Sequence, residues 1–305
     1  MARKRSRLLD YVVYLAVRSV VCVLQALPYE ACMRLSAGVA WLVYRIDRRH
    51  RLVADDNLRH AFPELDAKAR DDLVRATYRH FVGLAVTLVF LPRMFRATTW
   101  KRYLDFSDPK LLVSLMLSGR PLLFVTGHFG NWELGNVALG VLGFRTAAIA
   151  RRLDNPYLHD FLLSLRARHG QALLDKTEDY DRMLAVLESG GMLATLGDQD
   201  AGQRGLYVPF YNRPASTHKA MALMALQYQT PVVVMGIARL GEPMRHRLIV
   251  EDVILPEEYD GRVDAIPALT QRMTAGLERL GRRHPEQYFW LHRRWKHQPK
   301  VRKAA

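Results

Sequence analysis

A histidine and a carboxylate five positions apart carry the first chemical signal in this chain. The run Thr126-Gly127-His128-Phe129-Gly130-Asn131-Trp132-Glu133 follows an apolar stretch and sets His128 five residues before Glu133. Such a pair does not share a helix face, because helical neighbours sit three or four residues apart. Across a turn from a strand into a helix the two side chains can meet. A carboxylate on one imidazole nitrogen fixes the tautomer and raises the basicity of the other, giving a base able to take a proton from a hydroxyl. Taken alone, His128 reads equally well as a structural histidine capping a backbone group. No serine or cysteine occupies a nucleophile elbow, so a covalent acyl-enzyme is not indicated. No set of histidines and carboxylates suits a metal, and the expected metal content is none.

Those side chains need elements to hold them. Residues 121–127 form a short apolar run bounded by turn signals, which reads as a buried strand. Further strands are expected over 144–150, 171–174, 192–196, 231–238 and 246–253. Helical patterns cover 66–91, 111–117, 132–142, 156–169, 179–188, 217–228 and 264–283. Alternating strands and helices predict an α/β domain with a largely parallel sheet flanked by helices. In open sheets of this class, sites gather at the carboxyl ends of strands. Three such ends carry polar residues that packing does not require: Gly127-His128, Arg151-Arg152 and Gly197-Asp198-Gln199-Asp200. On spacing alone, Asp198 and Asp200 are solvated loop acids or turn caps. Arg166, likewise, is an exposed helix residue paired with a neighbour.

Composition narrows the setting. The 305 residues are half apolar and one quarter charged, which excludes a disordered chain. A mean hydropathy of −0.10 excludes a polytopic membrane protein. Two cysteines, Cys22 and Cys32, cannot build a disulfide framework or a cysteine zinc site. Lys plus Arg number 45 against 30 Asp plus Glu, a formal charge of +15. The excess is clustered at Arg3, Lys4, Arg5 and Arg7, at Arg45, Arg48, Arg49 and Arg51, and at Arg293, Arg294, Lys296, Lys300, Arg302 and Lys303. Two clusters flank apolar segments, which favours an anionic membrane lipid as partner. No zinc-finger, RNA-recognition or basic-zipper motif accompanies them, so no nucleic acid is expected.

Residues 8–27 are long enough to cross a bilayer, but Asp10, Arg18 and Gln25 interrupt them. Arg18 in the bilayer centre would cost about 2.5–3.5 kcal/mol. A second apolar stretch over 31–46 ends in the basic run 47–51. Basic flanks keep the N-terminus cytoplasmic. The two segments therefore form a hairpin or lie in the interface as amphipathic helices, unless they are buried helices of a soluble fold. The expected plan is a membrane-anchoring segment over 1–50 and an α/β catalytic domain over 51–305.

Gly127-His128-Phe129-Gly130-Asn131-Trp132-Glu133 resembles the H-x4-[DE] signature of glycerolipid acyltransferases. It is most similar to the late, or secondary, lipid A acyltransferases. Further blocks agree in order: Ala150-Arg151-Arg152-Leu153-Asp154-Asn155-Pro156, the paired arginines Arg166 and Arg168, Gly197-Asp198-Gln199-Asp200, Val208-Pro209-Phe210-Tyr211, Pro214-Ala215-Ser216-Thr217 and Pro285 through Lys296. The resemblance implies a glycerolipid-acyltransferase-like fold with N-terminal membrane-associated helices, and His128 and Glu133 as the catalytic pair. It implies substrate-binding roles for Arg166, Asp198, Arg151, Arg152, Arg168 and Asp200, with Asp198 orienting Arg166 or the acceptor. Arginine suits a phosphate or a developing oxyanion.

The reaction so implied moves an acyl chain from a thioester donor, acyl carrier protein or acyl-CoA, to a hydroxyl of a lipid A precursor or related glycolipid acceptor. It uses no bound cofactor and takes place at the cytoplasmic face of a bacterial inner membrane. Acyl carrier protein is acidic, so the +15 charge gives a reason for attraction. Gly130-Asn131-Trp132 also occurs in relatives that acylate other lipids, mannosylated phosphatidylinositol among them, which leaves the acceptor open. A thioesterase with water as acceptor, and a non-enzymatic protein that binds anionic lipid, are the competing readings.

Overall fold

A computed structural model describes residues 6–167, 172–175, 179–241 and 244–299. Arg168, His169 and Gln171, and the basic residues Arg3, Lys4, Arg5, Lys300, Arg302 and Lys303, lie outside the described residues. The strands are β1 (Leu104–Phe106), β2 (Leu122–Thr126), β3 (Thr146–Ala150), β4 (Ala172–Asp175), β5 (Met192–Leu196), β6 (Leu206–Phe210), β7 (Arg213–Thr217), β8 (Val232–Arg239) and β9 (His246–Ile254). Seven of them form one sheet in the order β1-β9-β8-β2-β5-β3-β4. From β8 through β4 all pairs are parallel. β9 returns antiparallel to β8, and β1 runs parallel to β9. The largely parallel α/β sheet expected from the alternating pattern is therefore present, with one edge reversed.

The helices are α1 (Arg7–Ala26), α2 (Tyr29–Ile46), α3 (Arg48–Ala61), α4 (Ala67–Met94), α5 (Pro109–Met116), α6 (Trp132–Val141), α7 (Pro156–Ala167), α8 (Tyr180–Glu188), α9 (Ala220–Gln227) and α10 (Ala265–Arg283). They cover both faces of the sheet, which is why the central strands are apolar at consecutive positions. Leu123 and Val125 of β2 pack with Val232, Val234, Leu277 and Trp290. Leu122 and Phe124 point the other way, into a core with Leu134, Ala138, Met235, Phe90 and Tyr29. Successive residues of β2 thus serve opposite cores, as a pleated strand requires.

Four elements escape the sequence patterns. β1 has three residues, too few to show a period. The hairpin β6–β7 carries Pro209 opposite Pro214, and proline argues against strand when read locally. Tyr211 and Asn212 close it with φ of 47° and 60°, the left-handed pair that a two-residue hairpin turn needs. Consequently Thr217 ends a strand, and the helix expected over 217–228 begins at Ala220. α3 shows in the sequence only as the basic run 47–51; Asp47 caps it by accepting from the His50 amide.

The N-terminal helices dock on the α/β layer. Tyr29 and Cys32 of α2 share a core with Phe90 and Leu91 of α4, and the Tyr29 hydroxyl lies 3.3 Å from Thr87 Oγ1. α1 lies along α4 and α7. Tyr11 meets Tyr157 at 5.2 Å between ring centroids, and the Arg18 guanidinium sits 4.6 Å from the Phe161 ring. Gln25 Nε2 donates to the Val89 carbonyl. Asn155 caps α7 through the Leu158 amide and also donates to the Asp10 carbonyl at 2.8 Å, tying α1 to α7. Facing outward, α1 exposes Leu8, Val12, Leu15, Val20 and Val23, and α2 exposes Leu35, Val39, Trp41, Leu42 and Ile46.

Candidate active site

β2 and β5 are neighbours whose register ends at Thr126 opposite Leu196. The pairing runs one step further, because the Gly197 amide donates to the Thr126 carbonyl at 2.7 Å. The residues just beyond are His128 and Asp198. His128 Nδ1 lies 2.8 Å from Asp198 Oδ1, and the His128 backbone N–H donates to Asp198 Oδ2 at 2.7 Å. One histidine therefore engages both oxygens of a carboxylate that is 4% exposed. Gly127 makes the approach possible: a Cβ there would stand 3.0 Å from Asp198 Oδ2.

The turn after His128 is fixed from three sides. The Gly130 amide donates to the Gln287 carbonyl at 2.9 Å and the Asn131 amide to the Ile237 carbonyl at 2.8 Å. His80 Nε2 lies 3.2 Å from the Gly130 carbonyl. Gly130 has φ of +56°, and a Cβ there would fall 1.8 Å from the Ile237 oxygen, so a side chain has neither the conformation nor the room. Asn131 then caps α6 by accepting from the Leu134 amide at 3.0 Å.

Charge in this pocket is arranged around the dyad. Burial pushes the Asp198 carboxyl upward, but the His128 charge, its hydrogen bond, the His128 amide and the Arg294 charge outweigh it and hold the group below the usual carboxylate value. For His128 burial acts downward, and the charge and hydrogen bond of Asp198, joined by the charge of Glu133, carry the imidazole above its ordinary value. An ionised Asp198 accepts from Nδ1–H, which leaves the lone pair on Nε2. Arg294 is buried and donates to the Ser216 carbonyl at 2.5 Å and to Thr217 Oγ1 at 2.6 Å. Tyr288 is held well above its ordinary pKa by burial and by the Asp198 charge, so its hydroxyl stays protonated. Trp132, 5.2 Å away, and Phe289, 6.0 Å away, wall the imidazole. Its Nε2 looks toward the exposed amide of Gln199 at 3.4 Å. A buried base whose Nε2 is covered by an exposed side-chain amide is an arrangement that can take a proton from a bound hydroxyl.

The expected partner of His128 was Glu133, and the geometry corrects this. Glu133 opens α6 and lines a small cavity of about 50 Å³ with Thr126, Asn136, Ala150 and Leu196. It reaches His128 through its charge, while the carboxylate on Nδ1 is Asp198. Both oxygens of Asp198 accept from His128, and the Arg166 side chain lies outside what the structure describes. Asp200 faces the C-terminal segment: its Oδ2 lies 2.6 Å from His297 Nδ1, and its amide donates to His292 Nε2 at 3.4 Å. Arg151 is exposed and pairs with Asp154 at 2.8 Å. Arg152 is exposed, and its amide donates to Asp175 Oδ2 at 3.2 Å. The Arg166 backbone belongs to α7. In the sequence Gln199 stands out only as part of the Asp198–Asp200 strand end, Arg294 only within a basic cluster, and Tyr288 only within the block from Pro285 to Lys296. The strand end carrying Asp198 was recognised; the adjacency of β2 and β5, which brings it to His128, is a property of strand order.

Comparison with known proteins follows the same direction. The sequence profile described as bacterial lipid A biosynthesis acyltransferase matches residues 2–297. The chain is 26% identical over 275 residues to the lipid A biosynthesis lauroyltransferase of Escherichia coli (strain K12), covering 90% of this chain and 88% of that protein. It is 24% identical over 277 residues to the lipid A biosynthesis palmitoleoyltransferase of the same strain, covering 90% and 87%. A lipid A biosynthesis acyltransferase of Haemophilus influenzae is 24% identical over 287 residues, covering 92% and 88%. With a match that spans nearly its whole length, the chain belongs to the bacterial lipid A biosynthesis acyltransferase family and is an acyltransferase.

Proposed function

We propose that this enzyme transfers a fatty acyl chain from a thioester donor, acyl carrier protein or acyl-CoA, to a hydroxyl of a lipid A precursor or a closely related glycolipid. The observation that carries the reading is the His128–Asp198 pair, with Nδ1 held at 2.8 Å by a buried carboxylate and Nε2 facing the exposed Gln199 amide. Nε2 takes the proton of the acceptor hydroxyl as its oxygen bonds to the thioester carbonyl carbon. The carbonyl electrons collect on oxygen to give a tetrahedral oxyanion. Their return expels the thiolate, which takes up the proton from the imidazolium, so the products are an ester and a thiol. Gln199, whose amide lies 3.4 Å from Nε2, is the side chain this scheme assigns as donor to the oxyanion. The scheme uses the protein's own groups and a co-substrate, with no bound cofactor and no metal.

The surroundings support a membrane setting. α1 and α2 are docked on the α/β layer by one face and expose leucine, valine and tryptophan on the other. Helices with that division lie in the interface rather than across it. On this reading they hold the enzyme at the cytoplasmic face of the inner membrane, against anionic lipid, where the acceptor is. A net charge of +15 suits both that surface and an acidic acyl carrier protein.

The test is mass spectrometry of products from purified enzyme, a lipid A precursor in detergent micelles and an acyl-thioester. Wild type should give a lipid heavier by one acyl chain, and His128→Ala should give roughly 10²–10⁴-fold less. Free fatty acid without acylated lipid would identify a thioesterase. Transfer at the wild-type rate by His128→Ala would remove the base from the mechanism.

A further inference from the structure

A cavity away from the dyad has five cations among the ten residues of its wall. It encloses about 740 Å³ between the start of α3 and the segment after Trp290, with Arg48, Arg49, Arg213, Arg293 and Lys296 in its wall. One carboxylate, Asp56, faces these five, and it lies 3.7 Å from Arg213. Among the described residues, no carboxylate stands within ion-pairing distance of Arg48, Arg49, Arg293 or Lys296. Like charges gathered in a concavity repel one another, and an anion that enters relieves that repulsion while its own field is focused there. Arginine forks around a cavity suit phosphate in particular, since they donate two hydrogen bonds at once.

Three observations say what kind of anion. The cavity also contains Leu52, Val53 and the Trp295 indole, so its wall is amphipathic. It opens beside the end of α2, where Ile46 is 74% exposed and Trp41 58% with Arg45 over its ring at 5.1 Å, and Leu52 of α3 in its wall is 61% exposed. It is also tied to the catalytic strand ends. Asn57 in its wall donates to the Trp290 carbonyl at 2.7 Å and the His292 carbonyl at 2.9 Å. His292 receives the Asp200 amide, and Asp200 follows Asp198 by two residues. Phe289, against the His128 ring, precedes Arg293 by four residues, so their Cα atoms are at most about 15 Å apart. Cations beside an exposed apolar helix, one short segment from a general base, fit an amphiphile whose charged head enters and whose chains stay on the helix.

We propose that this cavity binds the phosphate of the acceptor, a phosphorylated, multiply acylated glycolipid, and that Arg48, Arg49, Arg213, Arg293 and Lys296 set its position while its acyl chains lie along α2. The acyl-transfer reading supplies the name of the ligand; the site itself stands on the cavity. A concave site bordered by exposed leucine, isoleucine and tryptophan suits a lipid head group better than the convex face of an acidic protein.

The test compares wild type with the pair Arg49→Gln and Lys296→Gln in the full-length enzyme. Direct binding is measured without donor, by flotation with vesicles of neutral phospholipid carrying a phosphorylated lipid A precursor, the same precursor after phosphatase treatment, or neither. Steady-state kinetics supply KM for acceptor and for thioester separately. Losing two cations should weaken binding of the phosphorylated lipid, and raise its KM, by roughly 30-fold. The phosphatase-treated lipid should bind both proteins alike, kcat and the thioester KM should move less than about threefold, and Arg49→Lys with Lys296→Arg, which keeps both charges and one guanidinium, should restore most of the binding. Inorganic phosphate should compete weakly with the lipid in wild type only. Equal binding by wild type and variant, or equal loss with both lipids, overturns the proposal. A raised thioester KM with an unchanged acceptor KM overturns it in favour of a carrier-protein dock. Phosphate-dependent binding without acyl transfer to this lipid would leave the cavity assignment standing and refute the proposed reaction.

Discussion

Replacing Asp198 by asparagine separates the two carboxylates that compete for the role of His128's partner. The wild-type carboxylate accepts two N–H groups of one residue, at 2.8 and 2.7 Å. Asparagine offers one oxygen for both. If that oxygen keeps the backbone N–H, the amide NH2 faces Nδ1 and compels it to accept. The ring proton then moves to Nε2, and the base is lost. If the oxygen keeps Nδ1–H, the NH2 meets the backbone N–H donor to donor, and a buried donor unsatisfied in this way costs about 1–3 kcal/mol. Gly127 packs against this carboxylate, which leaves little space for it to turn. Either outcome also removes the negative charge that holds the imidazole above its ordinary pKa. A wrong tautomer costs about 10⁴ in the well-studied Ser-His-Asp case, so kcat should fall by roughly 10³–10⁴, equivalent to about 4–5.5 kcal/mol. Glu133→Gln leaves both bonds in place and should lose at most about tenfold. The assay is radiolabelled acyl transfer in micelles, with circular dichroism to verify folding. Asp198→Asn within tenfold of wild type, or less damaging than Glu133→Gln, would refute the assignment.

Glu133 nonetheless has a pH signature. The base acts when neutral, so kcat/KM should rise with pH through a His128 pKa that lies above its ordinary value of 6.5. Glu133→Gln removes a charge that favours the imidazolium, so the rising limb should move to lower pH in a kcat/KM profile. Gln199→Ala should reduce kcat by roughly tenfold or more with little change in melting temperature, since its amide is exposed and faces Nε2. Gly130→Ala should lower stability by at least about 1–3 kcal/mol in urea unfolding, because its φ of +56° and the nearby Ile237 carbonyl both refuse a side chain.

Much of the sheet was legible because buried strands of a parallel sheet are apolar throughout. LLFVT of β2 and VVVMGIAR of β8 stand out against their surroundings for that reason. The capped helices were legible as well: Asp66 before α4, Asp108 before Pro109 of α5, and Asn131 before α6 each mark a start. What could not be read was structure set by distant partners. β1 exists because β9 offers it an edge, with Leu104, Asp105 and Phe106 opposite His246, Arg247 and Leu248. The hairpin β6–β7 tolerates prolines because it is a separate two-stranded sheet, where few ladder bonds are needed on their sides.

The same distinction governs the site. His128 was found from its place after a strand and a glycine, a local signal. Glu133 looked like its partner because it was the carboxylate close in sequence. The carboxylate that reaches Nδ1 comes from 70 residues further on, at the end of the neighbouring strand. A crossover separates β2 from β5 in sequence, and the sheet order brings their carboxyl ends side by side. Once β2 and β5 are neighbours, both ends point the same way, and Gly127 and Gly197 let their backbones continue in register for one more bond. The first side chains past that bond are His128 and Asp198. The pairing is therefore a consequence of strand order and register. The Asp-Gln-Asp run acquires three tasks from one loop: Asp198 sets the base, Gln199 faces its Nε2, and Asp200 holds the histidines on either side of the segment that carries Arg293 and Lys296. Catalysis and the basic cavity share this loop, so a change in how the cavity wall sits has a short covalent route to the base.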